Sequence, residues 1–110
     1  MRSMPSFLFH ELRAHNDYQR LGGTLQFWRT PVGTEVDFVW TRGGERVAIE
    51  VKSTPRWKAE FGNGILSLAE HTKLTRAFGV YLGQERQKHG ALHILPLAAF
   101  REELYAGRVL

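Results

Sequence analysis

Two alternating strands with a glycine pair between them constrain this chain more than any other feature. Thr34-Glu-Val-Asp-Phe-Val-Trp40 and Val47-Ala-Ile-Glu-Val-Lys-Ser53 both alternate apolar with polar residues, and Gly43-Gly44 lies midway between them. That pattern predicts a β-hairpin closed by a two-residue turn. With Gly43 and Gly44 as the turn, Asp37 falls opposite Glu50 and Glu35 opposite Lys52. Strand side chains alternate between faces, so Glu35, Asp37, Glu50 and Lys52 are expected on one face. Val36, Phe38, Trp40, Val47, Ile49 and Val51 are expected on the other. Directly opposed β-carbons in such a ribbon lie about 4.5–5.5 Å apart. Two carboxylates at that spacing repel unless a cation lies between them, and a divalent metal ion is the first candidate.

The rest of the chain supplies elements to hold such a hairpin. Phe7 to Arg20 is predicted as a helix stopped by Leu21-Gly-Gly. Leu25 to Thr30 reads as a strand closed by a Pro31-Val-Gly33 turn, giving a three-stranded meander. Pro55 to Asn63 is irregular, and a second helix is expected from about 63 to 76. Ala77 to Gly83 is a nearly continuous apolar strand of the kind buried on both faces. Gln84 to Gly90 reads as a charged loop, Ala91 to Leu97 as a last strand, and Leu97 to Ala106 as a closing helix with Ala98, Phe100, Leu104 and Tyr105 as apolar contacts. The expected fold class is α/β, a central mixed sheet flanked by helices in αβββαββα order, built as one domain over residues 1–110.

Composition narrows the partners. No run approaches the roughly 18 apolar residues of a membrane helix, and the N-terminus lacks the apolar segment and cleavage site of a signal peptide. The chain has no cysteine, so neither disulfides nor thiolate metal sites are open to it, and a cytoplasmic location is expected. A net charge of +4 and a pI near 9.9 suit a polyanionic partner such as DNA.

Metal-dependent phosphodiester cleavage needs hard oxygen ligands for Mg²⁺ or Mn²⁺, an activated water and a cation to stabilise charge on the phosphate. Asp37 and Glu50 answer the first need, with the main-chain carbonyl of Val51 as a further ligand, and Lys52 answers the last. The plainer alternative is a solvated hairpin face carrying a Glu35–Lys52 ion pair. Arg29, one strand earlier, is placed either to reach phosphate or to pair with Glu35. Arg56, Trp57 and Lys58 combine cations with an aromatic ring, a pattern that holds nucleic-acid backbone and stacks bases; Trp57 as a core residue is the alternative.

These residues carry a family resemblance. A helix with a glutamate, Asp37 on a strand, and Glu50-Val51-Lys52 on the next resemble the PD-(D/E)XK nuclease superfamily. The longer series Phe27-Trp-Arg-Thr, Gly33-Thr-Glu-Val-Asp-Phe-Val and Ile49-Glu-Val-Lys-Ser53 resembles the DUF4143 domain, the C-terminal nuclease-like part of prokaryotic ATPases. The resemblance covers roughly residues 7 to 83. It implies a restriction-endonuclease-like fold, a divalent-metal site and a DNA-related role. By position it gives Asp37 and Glu50 as metal ligands, Lys52 as the catalytic lysine and Glu11 as an auxiliary ligand. It further implies an ATPase domain or other protein as partner, and nucleases of this kind often work as homodimers. The chain departs from the family in two respects. It has no phosphate-binding Gly-x-x-x-x-Gly-Lys-Ser/Thr loop, and Met4-Pro5 stands where the family's first helix commonly has Phe-Glu. A non-catalytic module that keeps the nuclease fold is the competing expectation.

Overall fold

The computed structural model describes residues 3–110. Its centre is a six-stranded sheet: β1 (Thr24–Arg29), β2 (Glu35–Arg42), β3 (Glu45–Lys52), β4 (Arg76–Tyr81), β5 (Gln87–His89) and β6 (Leu92–Pro96), in the spatial order β1-β2-β3-β4-β6-β5. The first three strands form the expected antiparallel meander, while β3, β4 and β6 run parallel. Pairing Arg42 with Glu45 leaves Gly43-Gly44 as the turn, and Phe38 pairs with Ile49, the register read from the sequence. Gly43 takes a φ of +56°, which a two-residue hairpin turn requires and glycine adopts without strain.

Helix α1 (Met4–Tyr18) begins at Ser3, whose side chain accepts a hydrogen bond from the Ser6 N–H, and has a proline in its first turn. Leu8 and Leu12, one turn apart, are fully buried. With α3 (Leu97–Tyr105), α1 covers one sheet face, where Phe38, Trp40, Val47, Ile49, Val51, Phe78 and Val80 form the larger core. Helix α2 (Asn63–His71), preceded by a 3₁₀ turn at Ala59–Gly62, covers the other face over Val39, Ala48, Ala77, Tyr81 and Ile94. None of these helices is long and apolar enough to cross a membrane.

Three expectations need correction. The Gln84–Gly90 segment is not only a loop: Gln87–His89 forms β5, antiparallel to β6. It has no apolar signal because it sits on the sheet edge, where exposed residues suffice. Helix α2 stops at His71 rather than near 76, because the Thr75 N–H is taken by the Arg46 carbonyl at the start of β3. In α3, Phe100 and Leu104 are buried, but Ala98 and Tyr105 face solvent.

A further departure lies inside β2. Gln26 pairs with Val39 but Trp28 pairs with Val36, so Phe27 alone faces both Asp37 and Phe38. This is a β-bulge, which bends a strand and re-aims its side chains. Val36 is therefore turned into the α2 layer rather than joining Phe38 and Trp40.

Gly64, in the first turn of α2, lets that helix reach the start of β2. A β-carbon there would lie 2.1 Å from the Glu35 carbonyl oxygen. Gly64→Ala is expected to destabilise the domain by about 1–3 kcal/mol, against the gain in helix propensity of about 1 kcal/mol. Chemical denaturation checks this, and a more stable variant would refute the contact.

Candidate functional site

The bulge places Asp37 where β2 and β3 part. The Asp37 N–H, which no longer finds a carbonyl across the ribbon, donates to Glu50 Oε1 at 3.1 Å. In return the Val51 N–H donates to Asp37 Oδ2 at 2.8 Å. Each carboxylate thus satisfies a main-chain donor of the other strand. Lys52 Nζ lies 3.2 Å from Glu50 Oε2 and 5.1 Å from the centroid of the Phe61 ring. Asp37, Glu50 and Lys52 therefore meet at the C-terminal end of β3, on the sheet face covered by α2.

Among the described residues Glu50 is the one charged side chain that is buried, with 7% of its surface exposed. Beside it on β4 is Gly79, and the Trp57 ring packs over that glycine so closely that a β-carbon would sit 2.5 Å from it. Trp57 is itself buried, edge-on to Phe61 and Tyr81. Trp57, over the Gly79 that pairs with Glu50, and Phe61, beside Lys52, thus form one aromatic cluster next to the pair.

Burial holds the Glu50 carboxyl above its ordinary value, and the charge of Asp37 adds to this; the Asp37 N–H and Lys52 work in the opposite sense. Burial also raises Asp37, with the Val51 N–H and Lys52 opposing and Glu35 adding a little. A carboxyl group raised on folding stabilises the fold at low pH, and that contribution is lost as the pH climbs through the raised value. Glu50→Gln retains an oxygen for the Asp37 N–H and removes the charge. It is expected to stabilise the domain by on the order of 1 kcal/mol at pH 8, with no difference near pH 4. Thermal melts across that range check the sign, and a variant weaker than the wild type at pH 8 would contradict it.

Not every residue singled out in the sequence gathers here. Glu35 pairs with Arg29, directly opposite on β1 at 3.5 Å, rather than with Lys52. Arg29 is accordingly engaged at the exposed edge of the sheet. Glu11 is tied to Arg101 at 3.1 Å and accepts from the Tyr105 hydroxyl at 2.7 Å, joining α1 to α3 across the sheet from Asp37. Arg56 and Lys58 are exposed on the loop that follows β3, with no acidic partner among the described residues. Trp57 takes its core position, so its ring is closed to base stacking. Phe61 is the contributor that the sequence reading does not single out; an aromatic just before Gly62-Asn63-Gly64 is the only local sign of it.

As a donor set, two carboxylates on neighbouring strands fit a hard divalent cation in kind. No group of three acidic or histidine side chains at metal-holding distance occurs among the described residues. Mg²⁺ is commonly held by only one or two carboxylates, with water and substrate phosphate completing its shell. The pair is thus sufficient in number, and Val51 contributes its N–H to Asp37 whatever role its carbonyl plays.

The sequence matches the family model for DUF4143, a domain of unknown function, over residues 2–100. This chain belongs to the DUF4143 family. The match spans the whole sheet and α1, so all three residues at the end of β3 lie within the DUF4143 region, as do Phe61 and Trp57. No curated protein matches this DUF4143 chain.

Proposed function

We propose that this DUF4143 domain has the restriction-endonuclease-like fold of the PD-(D/E)XK nucleases and cleaves phosphodiester bonds in DNA with Mg²⁺ or Mn²⁺. One observation carries the reading: at a bulged strand pair the buried Glu50 carboxylate accepts from the Asp37 N–H and the Asp37 carboxylate from the Val51 N–H, with Lys52 beside them. A solvated hairpin face has no need of a buried, raised carboxyl pair, which costs stability when ionised.

In this reading Asp37 and Glu50 hold the metal, with the Val51 carbonyl as a further ligand. The bound ion would supply Lewis acidity and lower the pKa of a water molecule. Lys52, steered by Phe61, exchanges its contact with Glu50 for the phosphate when substrate arrives and offsets the charge that builds there. Arg56 and Lys58 hold the flanking phosphates. The carboxylates must be ionised to act, so activity rises with pH through their raised values. A cytoplasmic location, an ATPase domain as partner and pairing with a second copy belong to the same reading.

A non-catalytic DNA-binding or protein-interaction module is the second reading, favoured by the engagement of Glu11 with Arg101 and Tyr105. Incubation of the domain with supercoiled plasmid and Mn²⁺, with and without chelator, separates the two. Nicking that the chelator stops is expected. DNA affinity that falls steeply with salt, without any nicking, would favour the module.

A further inference from the structure

A cavity on the opposite sheet face from Asp37 and Glu50 has the chemistry of an anion site. It encloses about 370 Å³ between β4, β6, the end of α3 and the loop after β4. Its lining is Arg76, Arg86, Arg108, His93, Phe78 and Leu95, with Glu103 as the sole acidic group. Pockets of this size, with an apolar floor and a few charged groups at the rim, suit small ligands.

The charges do not cancel within it. Arg76 is committed, its Nε donating to the Val109 carbonyl at 2.9 Å and an Nη to Glu45 at 3.3 Å. Arg86 and Arg108 share one carboxylate: Arg86 meets Glu103 Oε1 at 3.1 Å, and Arg108 meets Oε2. Each guanidinium has five N–H donors, so most donors of both remain free. Their side chains are 54% and 64% exposed, against 17% for Glu103. Two guanidinium groups on one buried-side carboxylate leave a net positive rim facing solvent. The floor presents the exposed His93 ring, tilted 34° to the Phe78 ring 6.0 Å away, over buried Phe78 and Leu95.

We propose that this cavity binds a nucleoside phosphate, with the base against the exposed His93 ring and the phosphate on Arg86 and Arg108. A doubly charged phosphate accepts from both guanidinium forks at once. Glu103 holds the two arginines in position and competes with the ligand for them. The ligand is either a free nucleotide or the phosphorylated end of a strand, since both present the same group.

Calorimetric titration with AMP, adenosine, inorganic phosphate and short DNA oligonucleotides, with and without a 5′-phosphate, tests this. AMP is expected to bind at least about tenfold more tightly than adenosine or phosphate alone, the worth of one further charge-assisted contact or ring face. Arg108→Gln and the Arg86→Gln/Arg108→Gln pair should each weaken AMP by about tenfold or more, with melting temperatures confirming that both are folded. Glu103→Gln, which frees the two guanidinium groups, should tighten it. Preference for AMP assigns the site to a free nucleotide, and preference for the phosphorylated oligonucleotide assigns it to a strand end. Equal binding of AMP and adenosine, or AMP binding indifferent to both arginine variants, would overturn the proposal. Plasmid nicking rests on Asp37 and does not enter this test.

Discussion

Asp37→Ala is expected to lower Mn²⁺-dependent DNA cleavage by about a hundred- to a thousandfold, the size commonly seen when one preorganised charge-stabilising group is removed. The fold should survive, because Asp37 is a half-buried carboxyl beside the buried Glu50, and burial works against the charged form of each. Its removal leaves the Val51 N–H without its acceptor, a cost of about 1–3 kcal/mol, which relief of the repulsion with Glu50 offsets in part. Asp37→Asn separates these effects, since the amide oxygen still accepts from Val51 while the charge is gone. It should therefore be as inactive as the alanine variant and more stable. Cleavage rates and melts of both variants decide the matter. An Asp37→Asn domain that retains wild-type cleavage would remove Asp37 from the chemistry.

The largest expected loss of stability lies in the other layer. Trp40 is fully buried, and its Nε1 donates to Asn16 Oδ1 at 2.9 Å. Asn16 also brackets Gly23, accepting from its N–H and donating to its carbonyl, both at 3.0 Å. One tryptophan thus fastens the end of α1 and the start of β1 to the middle of β2. Trp40→Ala is expected to cost about 3–5 kcal/mol, from the lost burial and the cavity left behind. Trp40→Phe keeps an aromatic ring in the core layer shared with Leu8 and Leu12 but not the donor, and should lose less. Urea denaturation with matched slopes measures both. A loss under about 1 kcal/mol for the alanine variant would mean that the site collapses around the gap.

Much of this architecture was legible in the residues themselves. Gly43-Gly44 with alternation on either side set the β2–β3 register, and with it the nearness of Asp37, Glu50 and Lys52. The apolar run at 77–82 announced a strand covered on both faces, and β4 is central between β3 and β6. The bulge at Asp37 and Phe38 was not legible. Strict alternation through Val36 gives no hint of an extra residue, because the shift arises from pairing with β1 and depends on how Trp28 and Val36 pack into the α2 layer. The pairing of Glu35 with Arg29, by contrast, is one of the two roles that the sequence leaves to Arg29. The position of Glu11 was, like the bulge, hidden, since its partners Arg101 and Tyr105 lie some 90 residues away in sequence. Trp57 offered two readings, and Gly79 decides between them: a strand residue without a side chain opens the space that the ring fills.

Whether the Asp37–Glu50 pair holds a divalent metal ion is decided by calorimetric titration of Mn²⁺ into the domain at pH 8, with and without a short DNA duplex. Saturable binding of one class to the wild type, abolished by Asp37→Ala, is the expected result. Binding that the variant retains, or none to the wild type even with DNA present, would contradict it.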